Sequence, residues 1–406
     1  MLKYYEPRLN LSSPEQLNMI GIIVTLNNSV DGEILRSVIE ELRVRFPYFY
    51  VKAAYKGGDL TTVPNELPMT VRNTWEPIRL NSKESNYHLA AWKYEGNRLA
   101  FEIPHDLTDG AGVMPYIRSA MFLYLSRATG ISFDPAGFRL PGDEIPESEI
   151  GDPFEDLDTK AVEAPLYRKK PIPDCFHLFN GMDIDKRVFY LKLPEEQVMK
   201  YCRSNDASPN VLFSVFLAKA TRRYDPSSEK PITIFVAVDH KAILGNHDNY
   251  RLFAGNNILE FPKGMDLNDI TKTCTMVRGQ LIIQAQPENS LWEIKERKQM
   301  LLPPPSLEIP QASFSVSYPK NTSFGPLDPY IREIYIVTTL MPISDILCEV
   351  TCINHSFFLA FMQPFSSTEF LECFLDELRM AEIPCELLFS EPLRMCEVQG
   401  MDRNNR

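Results

Sequence analysis

Residues 98–112 read RLAFEIPHDLTDGAG, and this stretch decides which fold we expect. Residues 98–103 show a partial alternation of polar and apolar side chains, which favours a β-strand. From residue 113 to about residue 128, apolar side chains recur every three or four positions, which indicates an amphipathic helix, and Gly130 is typical of its end. His105 is therefore expected on a loop between the end of a strand and the start of a helix.

This placement makes His105 a candidate general base. Rigid elements on both sides hold the backbone of such a loop, and the ring remains free to point into a cleft. A plainer interpretation stays open, because Asp109 before Gly110 is also a good helix N-cap. A loop histidine is often only a hydrogen-bonding surface residue. The pattern of residues alone does not choose between these two interpretations.

The string HDLTDG at residues 105–110 resembles the HHxxxDG motif of the chloramphenicol-acetyltransferase-like superfamily. That superfamily includes peptide-synthetase condensation domains, plant acyltransferases and alcohol-acetyltransferase-like proteins. Pro104 takes the place of the first His of the motif. The resemblance implies that His105 is the catalytic His and that Asp109 forms a structural ion pair with a basic residue, which holds the loop. Gly110 then lets the backbone pack closely where a side chain would clash.

Weaker similarities extend the resemblance over about residues 15–390. RFPYF at 45–49 and the strand at 253–261 are similar to condensation-type phrases, and Ser317-Tyr318 matches part of a "SYVG" strand. AVDHK at 237–241 resembles "PVDLR" of the alcohol-acetyltransferase-like proteins, with Lys241 where those relatives have Arg. The resemblance implies an α+β fold (an α/β sandwich) of two chloramphenicol-acetyltransferase-like lobes, with the active-site tunnel at their interface.

We predict three regions along the chain. Residues 1–135 form the N-terminal lobe that carries the His105 loop, and residues 185–406 form the C-terminal lobe. Residues 136–184 are rich in proline and acidic side chains, which is typical of an extended crossover linker. Within the second lobe, the apolar pattern over residues 267–298 predicts one long helix.

Composition narrows the class of protein. The chain has 406 residues, 44% of them hydrophobic, which suffices for a large core, and its net charge of −12 argues against a nucleic-acid binder. Basic clusters at 168–170 and at Lys219, Arg222 and Arg223 either serve an anionic ligand locally or are solvated faces. Neither a membrane span nor a signal peptide is recognisable, so we expect a cytoplasmic protein.

The eight cysteines are scattered singly and form no CxxC pair. This spacing predicts neither a zinc site nor a disulfide framework, and we expect reduced cysteines within the core. No nucleophile elbow of the GxSxG type and no reactive cysteine are recognisable. These absences fit the acyl transfer that the resemblance implies, which would use general base catalysis without a covalent enzyme intermediate, since a thioester donor is already activated.

Such a reaction needs a donor of hydrogen bonds to the oxyanion of the tetrahedral intermediate. The candidates near predicted strand ends are Ser315, Ser317, Tyr318 and Gln363, which are otherwise ordinary strand residues. Among the other histidines, His240 is either a second functional His or a hydrogen-bonded structural one. His88 and His355 are expected to be structural.

The resemblance implies a thioester donor, either acyl-CoA or an acyl group on the phosphopantetheine of an acyl carrier protein. The acceptor is a small-molecule alcohol or amine, and we expect no metal and no permanently bound cofactor. Two alternatives stay open: a non-catalytic binding or partner protein with this fold, and a condensation-type enzyme that joins carrier-bound substrates. The sequence does not distinguish a monomer from a dimer.

Overall fold

The computed structural model describes residues 18–56, 59–152, 157–160, 162–167, 174–178, 185–245, 247–300, 312–320, 322–340 and 343–399. In chain order, the helices and strands are β1 (Met19–Leu26), α1 (Gly32–Leu42), β2 (Val51–Lys56), β3 (Asp59–Pro64), β4 (Val71–Asn73), β5 (Arg79–Leu80), β6 (Ala91–Glu95), β7 (Arg98–Pro104), α2 (Gly110–Thr129), α3 (Glu147–Ile150), β8 (Arg187–Pro194), α4 (Glu195–Ser204), α5 (Pro209–Tyr224), β9 (Ile232–Asp239), α6 (His240–Leu244), β10 (Ala254–Phe261), α7 (Ile270–Gln284), α8 (Pro287–Met300), β11 (Ala312–Ser317), β12 (Ile331–Thr338), β13 (Ser344–Ile353), β14 (Ser356–Gln363), α9 (Glu369–Met380), β15 (Glu386–Pro392) and β16 (Glu397–Val398).

The first lobe is built on a five-stranded sheet in the order β12-β1-β7-β6-β4. β1 is buried along its whole length, as expected for the apolar sequence MIGIIVTL at the centre of a sheet covered on both faces. It pairs antiparallel with β7, so that Met19 lies opposite Pro104, the residue before the candidate base. Helices α1 and α2 supply apolar side chains to the same core. This pairing fixes the end of β7 from which the His105 loop departs.

The second lobe is built on a seven-stranded sheet in the order β10-β9-β11-β13-β14-β8-β15. β9, β11 and β13 are mutually parallel, and the other pairings are antiparallel. One face of this sheet packs against α5 and α9, whose apolar side chains form the second core. α5 is apolar almost all round, and most of its residues are buried accordingly.

The other face of the second sheet is directed at the first lobe. Side chains point alternately to the two faces of a strand, and here Tyr190, Phe358 and Met362 join the core of the first lobe. The chain also passes from one lobe to the other in this region: β12 forms the edge of the first sheet, whereas the next strand, β13, lies within the second. The face on which a strand residue lies therefore decides whether it can reach the interface between the lobes.

The α+β fold of two lobes predicted from the sequence is confirmed, and some details differ. The helix predicted over residues 267–298 is two helices, α7 and α8, because Pro287 cannot continue the hydrogen bonding of α7 and instead begins α8. The boundaries at residues 135 and 184 stay predictions. None of the helices that the structure describes is long and apolar enough to cross a membrane.

Candidate active site

The loop at residues 105–109 joins the end of β7 to the start of α2. The N–H group of His105 donates a hydrogen bond of 2.8 Å to the carbonyl of Asn18, just before β1. At the other end of the loop, Asp109 is the N-cap of α2, and its Oδ1 accepts the Gly112 N–H at 2.7 Å. Both ends of the loop are thus fixed by hydrogen bonds to regular elements or their ends.

The half-buried His105 ring has one nitrogen whose role is defined by its partner. Nδ1 lies 2.9 Å from the carbonyl oxygen of Thr108. Because a carbonyl oxygen only accepts hydrogen bonds, Nδ1 carries the hydrogen. In the neutral ring Nε2 therefore has a free lone pair, which is the form that a general base needs.

The residues between His105 and Asp109 are held by backbone contacts from distant parts of the chain. The Thr108 hydroxyl donates to the carbonyl of Tyr250 at 2.6 Å, and the Tyr48 hydroxyl donates to the carbonyl of Leu107 at 2.5 Å. Thr108 is completely buried. These bonds restrict the loop to one conformation and so fix the direction of the His105 ring.

Two glycines lie at the start of α2, and they differ in how closely the chain packs on them. A Cβ atom on Gly112 would lie 2.2 Å from the carbonyl oxygen of Tyr250, a distance that no side chain tolerates. A Cβ atom on Gly110 would lie 3.3 Å from Cδ1 of Ile336, the flexible end of a side chain. The closest backbone approach is therefore at Gly112, two residues beyond the position expected from the sequence.

Asp109 also connects the two lobes. The Lys241 Nζ atom, on α6, donates to Oδ1 of Asp109 at 2.6 Å, and the N–H of Phe253 donates to Oδ2 at 2.8 Å. Both side chains of the ion pair are buried. Burial alone raises the pKa of the Asp109 carboxyl, but the charge of Lys241 and the hydrogen bonds from Lys241, Phe253 and Gly112 outweigh it and bring this pKa below its usual value.

The four candidate oxyanion donors lie on different faces of the second sheet. Ser315 and Ser317 alternate with Phe314 and Val316, which belong to the second core, and so they face the first lobe. The Ser315 hydroxyl donates to Oγ of Ser344 at 2.8 Å. The structure brings these two serines to the interface between the lobes.

Tyr318 and Gln363 lie on the opposite face, towards the helices. The Tyr318 ring contacts the Phe357 ring with 5.5 Å between centroids, and burial raises the pKa of its phenol to about 12. Gln363 is completely buried, and its Nε2 donates to the carbonyls of Phe365 and Ser367 at 2.8 and 2.6 Å. This amide fixes the turn before α9. The structure therefore does not bring these two residues together with Ser315 and Ser317.

Glu349 on β13 shares the face of Ser315 and Ser317, and it was not singled out from the sequence. It lies opposite Ser317 in the parallel pairing of β11 and β13, and it is 7% exposed. Burial raises the pKa of its carboxyl to about 7, although the hydrogen bond with Ser317 lowers it. The signal in the sequence was a single acidic residue within the apolar strand ILCEVTCI.

The other histidines differ in their hydrogen bonding. His88 is buried, with Nε2 at 2.7 Å from the carbonyl of Leu67, whereas the His355 side chain is 99% exposed in the turn between β13 and β14. His240 is 2% exposed, and among the described residues neither ring nitrogen has a hydrogen-bond partner. Its Nε2 lies 3.8 Å from Glu293 Oε1. The functional and the structural interpretations of His240 both stay predictions.

The basic cluster on α5 is engaged within the second lobe. Lys219 and Arg223 both pair with the buried Glu377 at 2.7 Å, and Arg222 donates to the carbonyls of Ser228 and Lys230. These contacts favour a structural role over binding of an anionic ligand. The other cluster, at residues 168–170, lies outside the described residues.

The structure shows two neighbouring cavities, of about 190 and 460 Å³, that share Arg394 and Met395 in their walls. The smaller is lined by the buried ion pair of Lys93 and Glu102, whose Nζ and Oε1 atoms are 2.6 Å apart. His105 lines neither cavity. The tunnel expected at the candidate base stays a prediction. In the described ranges, no three His, Cys, Asp or Glu side chains are grouped so that they could hold a metal ion.

No family model matches the sequence, and no curated protein matches it. Solved structures are similar over almost the whole chain. Polyketide synthase associated protein 5 from Mycobacterium tuberculosis is 14% identical with a TM-score of 0.61, and the match covers 93% of this chain and 97% of that one. TRI101 of F. sporotrichioides, complexed with coenzyme A and T-2, is 12% identical with a TM-score of 0.58, covering 94% and 98%.

The condensation domain of the Monacolin K polyketide synthase MokA is 14% identical with a TM-score of 0.55, and the match covers 94% of this chain and 96% of that domain. At such low identity the likeness concerns the fold. It agrees with the resemblance found at the His105 loop. The protein therefore shares the two-lobe fold of polyketide synthase associated protein 5, TRI101 and the MokA condensation domain.

Proposed function

We propose that the protein is an acyltransferase that moves an acyl group from a thioester to a hydroxyl or amine acceptor, with His105 as the general base. The hydrogen bond from His105 Nδ1 to the Thr108 carbonyl carries the proposal, because it leaves Nε2 able to accept a proton. The hydrogen bonds that restrict the surrounding loop support it further, since a base must be held in one direction.

In the proposed reaction, Nε2 of His105 takes the proton of the acceptor as the acceptor oxygen or nitrogen attacks the thioester carbonyl. The tetrahedral intermediate then collapses, the carbon–sulfur bond breaks, and the imidazolium returns the proton to the departing thiolate. The Thr108 carbonyl accepts the Nδ1 hydrogen throughout and stabilises the imidazolium. The ring begins and ends the cycle neutral, so no covalent enzyme intermediate is needed.

Ser317 is the oxyanion donor that we favour among the four candidates. It lies at the end of β11 on the face directed at the first lobe, whereas Tyr318 and Gln363 lie on the helix-covered face. Ser315 shares the favourable face but donates its hydroxyl to Ser344. The Ser317 hydroxyl has one hydrogen, which is available to the oxyanion when Glu349 is protonated and itself donates to Ser317 Oγ, and the raised pKa of about 7 allows this form of Glu349.

The thioester donor is either acyl-CoA or an acyl-phosphopantetheine on a carrier protein, which present the same thioester to the base. The fold of TRI101, solved with coenzyme A, supports the first, and the fold of the MokA condensation domain supports the second. A condensation-type reaction between carrier-bound substrates is the second candidate function. The protein is proposed to work in the cytoplasm, where both kinds of donor are found.

The experiment that tests this function measures free thiol release from acyl-CoAs of increasing chain length, with a mixture of small alcohols and amines as acceptors. Mass spectrometry of the acceptors detects the acylated product. We expect thiol release and product in equal amounts. If no CoA thioester reacts, the same assay with acyl-carrier protein decides between a carrier-bound donor and a non-catalytic binding protein, and failure of both donors would contradict the proposal.

A further inference from the structure

A second group of reactive side chains lies at the other end of the C-terminal lobe. Cys175 lies in the short described segment 174–178, where the N–H of Phe176 donates to the carbonyl of Pro231 at 2.8 Å, just before β9. Asp345 lies at the start of β13. The group is therefore at the edge of the sheet where β9 begins, whereas Lys241 of the candidate active site follows the end of β9.

Three side chains of this group form a linear chain of contacts. Cys175 Sγ lies 3.4 Å from Nε2 of His177, and Nδ1 of His177 lies 3.2 Å from Oδ1 of Asp345. The other carboxylate oxygen of Asp345 accepts the N–H of Leu178 at 2.6 Å, which fixes its orientation. A nucleophile, a base and a carboxylate that orients the base are thus in sequence, which is the arrangement that activates a thiol.

The pKa values of His177 and Cys175 shift in opposite directions, and each shift favours the charged form of its group. The hydrogen bonds with Asp345 and Cys175 raise the pKa of His177 to about 10. Burial raises the pKa of the Cys175 thiol, but His177 and the hydroxyls of Thr233 and Ser313 outweigh burial and bring this pKa below its usual value. Near neutral pH His177 is therefore an imidazolium, and the Cys175 thiol beside it ionises at a lower pH than an ordinary thiol.

The remaining cysteines behave in the opposite way. Burial raises the thiol pKa of every one of them: Cys202, Cys274, Cys348, Cys352, Cys373, Cys385 and Cys396. A reactive cysteine was not expected from the sequence, because Asp345 is distant in the chain from Cys175. The thiol pKa of Cys175 differs from those of the other cysteines because of its contacts with His177, Thr233 and Ser313.

Access to the sulfur limits what can react with it. Cys175 is 1% exposed, whereas the His177 side chain is 22% exposed and borders solvent. An acyl substrate is too large for a sulfur buried to this degree, but a reagent close to water in size needs only a small opening. Among the described residues these three side chains do not converge on a point as metal ligands would.

We infer that Cys175, with His177 and Asp345, is a site of oxidation by hydrogen peroxide. The thiolate sulfur attacks one oxygen of the peroxide, the O–O bond breaks, and a sulfur–oxygen bond forms. Sulfur loses two electrons, and the displaced hydroxide takes the proton of the His177 imidazolium and leaves as water. The products are a sulfenic acid at Cys175, a neutral His177 and one molecule of water.

The test exposes the intact protein to a limiting amount of hydrogen peroxide at neutral pH, then unfolds it in denaturant that contains dimedone, which traps buried and exposed sulfenic acids alike, and maps each cysteine by mass spectrometry. We expect Cys175 to be labelled several-fold more than Cys373, since its lowered thiol pKa gives it the larger thiolate fraction at the same pH. Cys373 is the matched control, because it is more exposed than Cys175 and burial raises the pKa of its thiol although Arg223 is near. Equal labelling, or an unlabelled Cys175, would overturn the inference.

A second measurement does not depend on access to the sulfur. The ultraviolet absorbance of the Cys175 thiolate, identified by its loss in Cys175→Ser, should appear at a lower pH in the wild type than in His177→Gln, which keeps a polar side chain without the charge. Circular dichroism of each variant checks that it is folded. A thiolate absorbance that appears at the same pH in the wild type and in folded His177→Gln would show that the ion pair does not exist.

Discussion

Removal of the carboxylate of Asp109 should destabilise the protein far more than removal of the amine of Lys241. Asp109 accepts three hydrogen bonds, from Lys241 at 2.6 Å, Gly112 at 2.7 Å and Phe253 at 2.8 Å. Asp109→Ala removes all three and leaves the buried amine of Lys241 without its carboxylate, at a cost of about 3–5 kcal/mol. The cap of α2 is lost as well, which adds about 1 kcal/mol.

Lys241→Met has a smaller effect because the carboxylate keeps its two backbone donors. Methionine fills a similar volume, so the expected cost is about 1–3 kcal/mol, the usual penalty for an incompletely satisfied buried group. In the double variant no unpaired charge remains, and its cost should fall below the sum of the two single changes by about 1–3 kcal/mol.

The assay is urea denaturation of the wild type and the three variants, followed by circular dichroism and by tryptophan fluorescence. Trp92 reports on the first lobe and Trp292 on α8 of the second. Coincident transitions by the two probes justify a single free energy of unfolding. Additive effects of the two single changes would refute the idea that a buried ion pair connects the lobes here. An Asp109→Ala variant as stable as Lys241→Met would show that the two backbone donors do not compensate the carboxylate once Lys241 is removed.

Three further predictions concern the interface and the start of α2. The raised pKa of Glu349 means that the native state binds more protons than the unfolded state between pH 4.5 and about 7, so the free energy of unfolding falls with rising pH in this window. Glu349→Gln should reduce that fall in the free energy of unfolding by about 3 kcal/mol, measured by urea denaturation at pH 4.5 and at about pH 7. An unchanged pH dependence would contradict this prediction. Ser317→Ala should lower the rate of thioester cleavage about a hundredfold, whereas Tyr318→Phe should leave it unchanged, and equal losses would reject Ser317 as oxyanion donor. Gly112→Ala should cost about 1–3 kcal/mol of stability because its Cβ would meet the backbone of Tyr250, and an unaffected melting temperature would show that the loop adapts.

The sequence predicted the features that depend on nearby residues. The strand, loop and helix around His105 follow from short-range periodicity, and Asp109 is recognisable as an N-cap from its immediate neighbours. Pairings between distant segments could not be read in this way. The edge position of β12 beside β1, for example, joins residues about 310 apart in the chain, and no local pattern encodes it.

The same limit applies to the residues of the candidate site. Ser317 and Tyr318 are adjacent in sequence, yet the alternation of side chains on β11 places only Ser317 towards the first lobe. Which face of β11 is directed at the first lobe depends on how the second sheet packs, so the sequence alone could not show that Ser317 lies on that face and Tyr318 does not. Glu349 was missed for a related reason, because its burial depends on the first lobe covering the strand.

The role of His105 is tested by the rate of thioester cleavage in His105→Ala beside His355→Ala, measured with the donor that the wild type prefers. His355 is the matched control, since its side chain is 99% exposed in a turn. We predict a loss on the order of 10² to 10⁴-fold for His105→Ala in a protein that remains folded, and no change for His355→Ala. A His105→Ala variant that cleaves the thioester at the wild-type rate would show that His105 is not the base.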